Sequence, residues 1–181
     1  MANDHTITSL TARIAELEVS GTGRSRTPQP ARALELAYRA ISQREHSTGQ
    51  LRTKLSKRGC DANEIATALT ELERYGFVDD RRYAKLFAED KRRLQGWGQR
   101  RIAAALRQAG IGDDAIAELF SDESQLDAPT EREVAVELLR RKQPDLSDLK
   151  VKARMAAMLA RRGLSSSTVH AALRDYADET K

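Results

Sequence analysis

Cysteine is almost missing from this chain: Cys60 stands alone among 181 residues, which excludes an intramolecular disulfide or a zinc site of several thiolates and suits a reducing compartment. Aromatic residues make up only 4%, too few for the β-branched and aromatic content that sheets draw on. No apolar run approaches the roughly 20 residues of a membrane span, and the N-terminus lacks the basic start and apolar core of a signal peptide. No membrane association is expected, and the cytoplasm is the expected compartment. His5, His46 and His170 are scattered, with no pair at helical spacing and no neighbouring cysteine. A zinc site would therefore need a coincidental geometry. There is no phosphate-binding loop, and Gly96 with Gly98 makes a lone G-x-G without the strand of a nucleotide fold. An enzyme is therefore not expected, and neither is a cofactor.

What is present in quantity favours helix. Ala, Leu, Arg and Glu dominate, with 40% hydrophobic and 32% charged residues, a composition able to bury a core and rich in good helix formers. The N-terminal stretch is different: Leu10, Ile14 and Leu17 offer a short helix only three apolar anchors. Residues 21–30, with two glycines, two prolines and two arginines, read as a flexible basic linker. Residues 1–30 are thus expected to form a mobile extension.

Beyond it, an internal repeat emerges. Gly59, Gly110 and Gly163 are separated by 51 and 53 residues. Eight residues before them lie Leu51, Ile102 and Met155, and four before them Leu55, Leu106 and Leu159. Six after them come Ile65, Ile116 and Val169, and ten after them Leu69, Phe120 and Leu173. A helix, a glycine stop and a second helix sharing one apolar interior would produce this pattern. Capping residues agree: Asp61 with Glu64 and Thr130 with Glu133 are spaced as capping boxes, and Ser165 follows Gly163. A further helix precedes each pair, carrying Leu34, Ala37, Tyr38 and Ile41 in the first, Tyr83, Phe87, Lys91 and Leu94 in the second, and Val134, Leu138 and Leu139 in the third. The prediction is an all-α chain of three tandem three-helix repeats, residues 31–76, 77–124 and 125–181. Stacking of such small units predicts an elongated, curved molecule, expected to be a monomer.

The junction from Leu69 to Ala84 is the most sharply specified stretch. Leu69, Leu72 and Tyr75 continue one apolar stripe, Gly76 can take the left-handed conformation that ends a helix, and Phe77 falls where a contact back to Leu72 belongs. Asp79 or Asp80 can cap the next helix, with Val78 stapled onto Tyr83. Adjacent carboxylates do not share a helix face, so capping outweighs metal or acid chemistry here.

The run from Tyr75 through Gly76, Phe77, Val78, Asp79, Asp80, Arg81, Arg82 and Tyr83 to Ala84 resembles the hallmark segment of the RecX family. Further matches are Ser47 to Leu51 before the pair Lys54 and Leu55, the basic residues Lys57 and Arg58 before Gly59, and Gly98 with Arg100, Arg101 and Ile102. Gln50 stands where the family usually has glutamate. The resemblance spans about 150 residues and implies three three-helix repeats, with the protein lodged in the groove of the RecA filament on DNA. It implies restraint of RecA activities, including recombination and induction of the SOS response.

Charge offers an independent line. Between Asp90 and Asp113 lie Lys91, Arg92, Arg93, Arg100, Arg101 and Arg107 with no acid, and between Asp148 and Asp175 lie six more basic residues, among them Arg154, Arg161 and Arg162. Lys57 and Arg58 fall in a shorter stretch of the same kind. Placed on the middle helix of each unit, these would line a stripe suited to an anionic surface, either a phosphate backbone or an acidic protein groove. Solvated helix faces are the alternative for any one cluster. Trp97 is a candidate base-stacking platform, though a packing anchor is the stronger reading, and Tyr38, Tyr75, Phe77, Tyr83 and Phe87 sit at core spacing. A free-standing DNA-binding regulator with helix-turn-helix units is the alternative function. Its recognition helices should carry Asn, Gln or Arg aimed at base edges, whereas the third helix of each unit is acidic or neutral.

Overall fold

The computed structural model describes residues 29–121 and 126–180, with side chains from Arg32 onward. The expected short helix at Leu10, Ile14 and Leu17 and the linker up to residue 28 lie outside them. Nine helices and no strand occur among the described residues, in three successive triplets. The first triplet is α1 (Gln29–Ile41), α2 (Thr48–Lys57) and α3 (Ala62–Arg74). The second is α4 (Asp80–Gln95), α5 (Gln99–Gln108) and α6 (Asp113–Ser121), and the third α7 (Glu131–Lys142), α8 (Leu149–Arg161) and α9 (Ser166–Glu179). The chain divides after Asp80 into two compact units, the first holding the first triplet and the second the other two.

Each triplet has its own core cluster. In the first, α1 packs chiefly on α3, around Tyr38, Leu51, Leu55, Ile65 and Leu72. In the second, Ile102, Leu106 and Ile116 are buried with Ala84 and Ala88. In the third, α7 packs chiefly on α9 around Leu139, Met155, Leu159, Val169 and Leu173. Of the twelve apolar positions at matching offsets from the three glycines, all are buried except Phe120, which is partly so. Two arginine forks also tie α7 to α9. Arg132 grips Asp175 at 2.6 and 2.7 Å, and Arg140 grips Glu179 at 3.0 and 2.7 Å. The Arg132 hydrogen bond holds the Asp175 carboxyl below its usual range.

Helix ends follow local chemistry. Asp61 with Glu64 and Thr130 with Glu133 form reciprocal capping boxes, and Ser165 accepts the N–H of Thr168. At the end of α3, Gly76 adopts φ 70° and donates to Glu73 at 2.9 Å, while Phe77 donates to Leu72 at 2.9 Å, the paired bonds of a Schellman stop. Cys60 is buried in the first core, and burial pushes its thiol above the usual range.

Three local expectations are corrected. Gln29 and Pro30 belong to the first turn of α1 rather than to the linker, where the missing N–H of proline costs nothing. Tyr75 is 51% exposed: the chain leaves the helix at this residue, so its ring turns out onto Phe77 and beneath Arg74. On α4 the expected interior position of Leu94 is reversed, for Leu94 is 75% exposed and Arg92 only 1%. The buried residues of this helix are Ala84, Ala88 and Arg92, spaced four apart, and they set the phase of the inward face. Val78 is buried in the first core, and Tyr83 packs with the second and stacks on Phe87 at 6.0 Å.

Candidate anion-binding cleft

Asp80 does not cap its own helix. Its carboxylate reaches back to accept the N–H of Thr48 at 2.8 Å, one of the free donors at the start of α2, where the helix dipole favours negative charge. The same device recurs in the second unit: Glu131, the first residue of α7, accepts the N–H of Gln99, the first residue of α5. Thus the leading residue of one triplet holds the start of the preceding triplet's middle helix. Asp79 lies just before the first residue of α4.

The joint between the second and third triplets is closer still. Gly98, at the N-cap of α5, donates to the carbonyl of Arg162 at 2.8 Å, and the carbonyl of Gly163 accepts from Arg100 at 3.2 Å. The start of α5 is therefore seated on the end of α8, backbone against backbone. A Cβ on Gly98 would lie 2.5 Å from the Gly163 oxygen, and one on Gly163 would lie 2.5 Å from the Arg101 nitrogen. The Arg162 side chain hydrogen-bonds the carbonyl of Gln95, closing the end of α4. Gly163 has φ 85°, and Gly59 and Gly110 have φ 80° and 83°.

Beside this joint the end of α4, the start of α5, the face of α7 and the end of α8 enclose a cleft of about 1090 Å³. Seven arginines line it against two glutamates, and both glutamates are engaged. Glu133 accepts from the backbone and hydroxyl of Thr130, whose hydrogen bonds lower its pKa, and Glu137 pairs with Arg141 at 2.9 Å. Arg93 bonds the carbonyl of Asp127 and lies 3.3 Å from its carboxylate. Arg101, Arg161 and Arg162 line the cleft with no carboxylate partner among the described residues. Three uncompensated guanidiniums in one concavity make a site that attracts anions.

The sequence-predicted basic residues are distributed unevenly around this cleft. Lys91, Arg92 and Arg93 lie at the end of α4 and not on a middle helix, because α4 runs on to Gln95. Arg92 is buried, so it leaves the expected exposed stripe, although it contributes to the cleft lining. Arg107 is bound to Asp113 at 2.6 Å, so its charge is locally balanced. Arg100 and Arg154 are exposed away from the cleft lining, and Lys57 and Arg58 are exposed in the first unit. Arg140 and Arg141 line the cleft but were missed, because Glu131, Glu133 and Glu137 interrupt the positive run on α7. Their place in its last turn was the available signal.

Trp97 is a packing anchor. Arg101 lies over its ring at 4.1 Å, Lys91 at 5.3 Å, and Phe87 meets it edge-on at 6.4 Å. No group of three or more histidine, cysteine or acidic side chains among the described residues could hold a metal ion, and no helix there is long and apolar enough to cross a membrane.

The triplets and the cleft define an all-helical tandem-repeat protein with an arginine-lined cleft. Residues 33–72 match the family model for the first three-helix domain of RecX, and residues 79–119 that for the second. The chain is 40% identical over 136 residues to the regulatory protein RecX of Mycobacterium sp. strain JLS, covering 71% of this chain and 73% of that one. It is 33% identical over 156 residues to the regulatory protein RecX of Deinococcus radiodurans, covering 86% and 73%. The crystal structure of RecX from Lactobacillus salivarius shares the fold at a TM-score of 0.70 and 16% identity, over 82% of this chain and 96% of that one. The chain belongs to the RecX family of regulatory proteins.

Proposed function

We propose that this protein is a non-enzymatic regulator that binds the RecA filament on DNA and restrains its ATP hydrolysis, strand exchange and SOS coprotease activity. It acts as a monomer in the cytoplasm and needs no cofactor. The units 31–76, 77–124 and 125–181 make successive contacts along the filament, so that individually weak contacts add through avidity. The observation that carries the reading is the group of uncompensated arginines at the joint of the second and third triplets, in a chain of a family of regulatory proteins. Exposed Arg100 and Arg154 add positive charge to the second unit outside the cleft, and Lys57 and Arg58 are exposed on the first unit. Base reading by helix-turn-helix units is disfavoured because α3 and α6 carry Glu71, Glu73, Asp113, Asp114 and Glu118 where a recognition helix needs donors to bases.

Co-sedimentation with RecA tests the reading, with and without single-stranded DNA and a non-hydrolysable nucleotide, at two salt concentrations. Binding that requires the assembled filament is expected. Equal binding to naked DNA with a steep salt dependence would transfer the function to DNA itself.

A further inference from the structure

The cleft is not uniformly polar. Leu94, 75% exposed, projects from its α4 wall, with Leu138 and Met158 partly buried along the other side. Leu94, Leu138 and Met158 line the same cleft as Arg101, Arg161 and Arg162, a mixed lining that matches a ligand apolar and anionic at once. A nucleic acid supplies the charge but presents flat bases, which gain most from an open aromatic ring. The aromatic ring of this cleft, Trp97, already has Arg101 over it at 4.1 Å and Phe87 at its edge. A protein segment with carboxylates flanking a leucine or similar side chain supplies both: the aliphatic group covers Leu94 and Leu138, and the carboxylates meet guanidiniums, whose forked donors suit them.

We infer that the cleft between α4, α7 and α8 is a docking site for an acidic protein segment carrying aliphatic anchor residues. The inference goes beyond the RecA reading and stands on the cleft alone. The arginines select against basic and neutral segments, and Leu94 selects against purely acidic ones. Arg161 is exposed and has no hydrogen bond or ion pair among the described residues, so its charge is available to a partner.

Fluorescence anisotropy with the full chain tests this, using a labelled acidic peptide of about eight residues with two leucines, its glycine-for-leucine counterpart, and labelled oligothymidine. Saturable binding of the leucine peptide is expected, weakened about tenfold by Leu94→Ser and by removal of the leucines, and at least as much by Arg161→Glu. Both substituted residues are exposed, and helicity by circular dichroism should be unchanged. Absence of saturable peptide binding would overturn the proposal. So would peptide affinity indifferent to Leu94 and to the leucines, which would reduce the cleft to a charge patch. Tighter oligothymidine binding that falls with Leu94→Ser would assign the cleft to nucleic acid instead.

Discussion

The starts of α2 and α5 occupy equivalent places in successive triplets yet are built differently. Ser47 caps α2 with its own hydroxyl, accepting the N–H of Gln50 at 3.1 Å. At the same place in the second triplet stands Gly98, whose helix has no side-chain cap. There the carbonyl of Gly163 accepts the N–H of Arg100, so the end of α8 does the work of a capping side chain. Both starts also receive a carboxylate from the next leading helix, Asp80 in one case and Glu131 in the other. The difference teaches that a free helix start can become a joint once its capping side chain is deleted and a neighbouring backbone takes its place. The cationic cleft lies beside that joint.

Exchanging the two residue types breaks the comparison most severely. Gly98→Ser should destabilise the second unit by about 3 kcal/mol, because the new Cβ meets backbone rather than a yielding side chain. Ser47→Gly, the reverse exchange, should cost only a few tenths of a kcal/mol by the ordinary ranking of caps. Thermal unfolding by circular dichroism measures both, and similar losses would show that the two starts do not differ as described. The shared carboxylate comes next: Asp80→Ala should cost about 1 kcal/mol by freeing the Thr48 donor, read from the denaturant midpoint.

Protonation sharpens the contrast in the first unit. His46 is buried, its Nδ1 donates to the Arg44 carbonyl at 2.8 Å, and its Nε2 has no partner among the described residues. Burial lowers its pKa from the usual 6.5, reinforced by the charges of Arg44 and Lys54. Because the unfolded chain takes up the proton first, the stabilising contribution is complete above the ordinary histidine value and is lost as pH falls toward the depressed folded value. Stability should therefore decline as pH falls below the ordinary histidine value of 6.5, and His46→Gln should flatten that decline. An unchanged slope would remove His46 from the pH response. The smallest effect belongs to Gly112: it has ordinary φ and open space around an added Cβ, so Gly112→Ala should shift stability by less than about 0.5 kcal/mol in the same assay.

The triplet framework was legible because each helix end is written locally. Glycine stops, capping boxes and apolar offsets all lie within a few residues of the turn they specify. The phase of α4 was less legible, since its inward face is set by Ala84 and Ala88, which carry little hydrophobic signal beside Leu94. A buried arginine completes that face, against the ordinary preference for water. The joint was hidden for another reason: Gly98 and Gly163 are far apart in sequence, and the need for glycine at Gly98 comes from space instead of from left-handed φ. Arginines likewise reveal their charge but not their partners, and Arg107 with Asp113 became distinguishable from Arg161 only in three dimensions.

The central proposal, that the positive surface of the second unit engages RecA, is tested most directly by matched charge reversal. Arg100, Arg154 and Arg161 are exposed on that unit, and Arg39, Arg44 and Arg74 are exposed on the first. Replacing either set by glutamate changes net charge equally, so a global electrostatic effect would treat the two alike. With about 1 kcal/mol at stake per contact, reversal of the second-unit set should weaken inhibition of RecA ATP hydrolysis on single-stranded DNA about a hundredfold, with the control near the parent protein and helicity intact in both. Equal loss in the two variants, or undiminished inhibition by the first, would contradict the account.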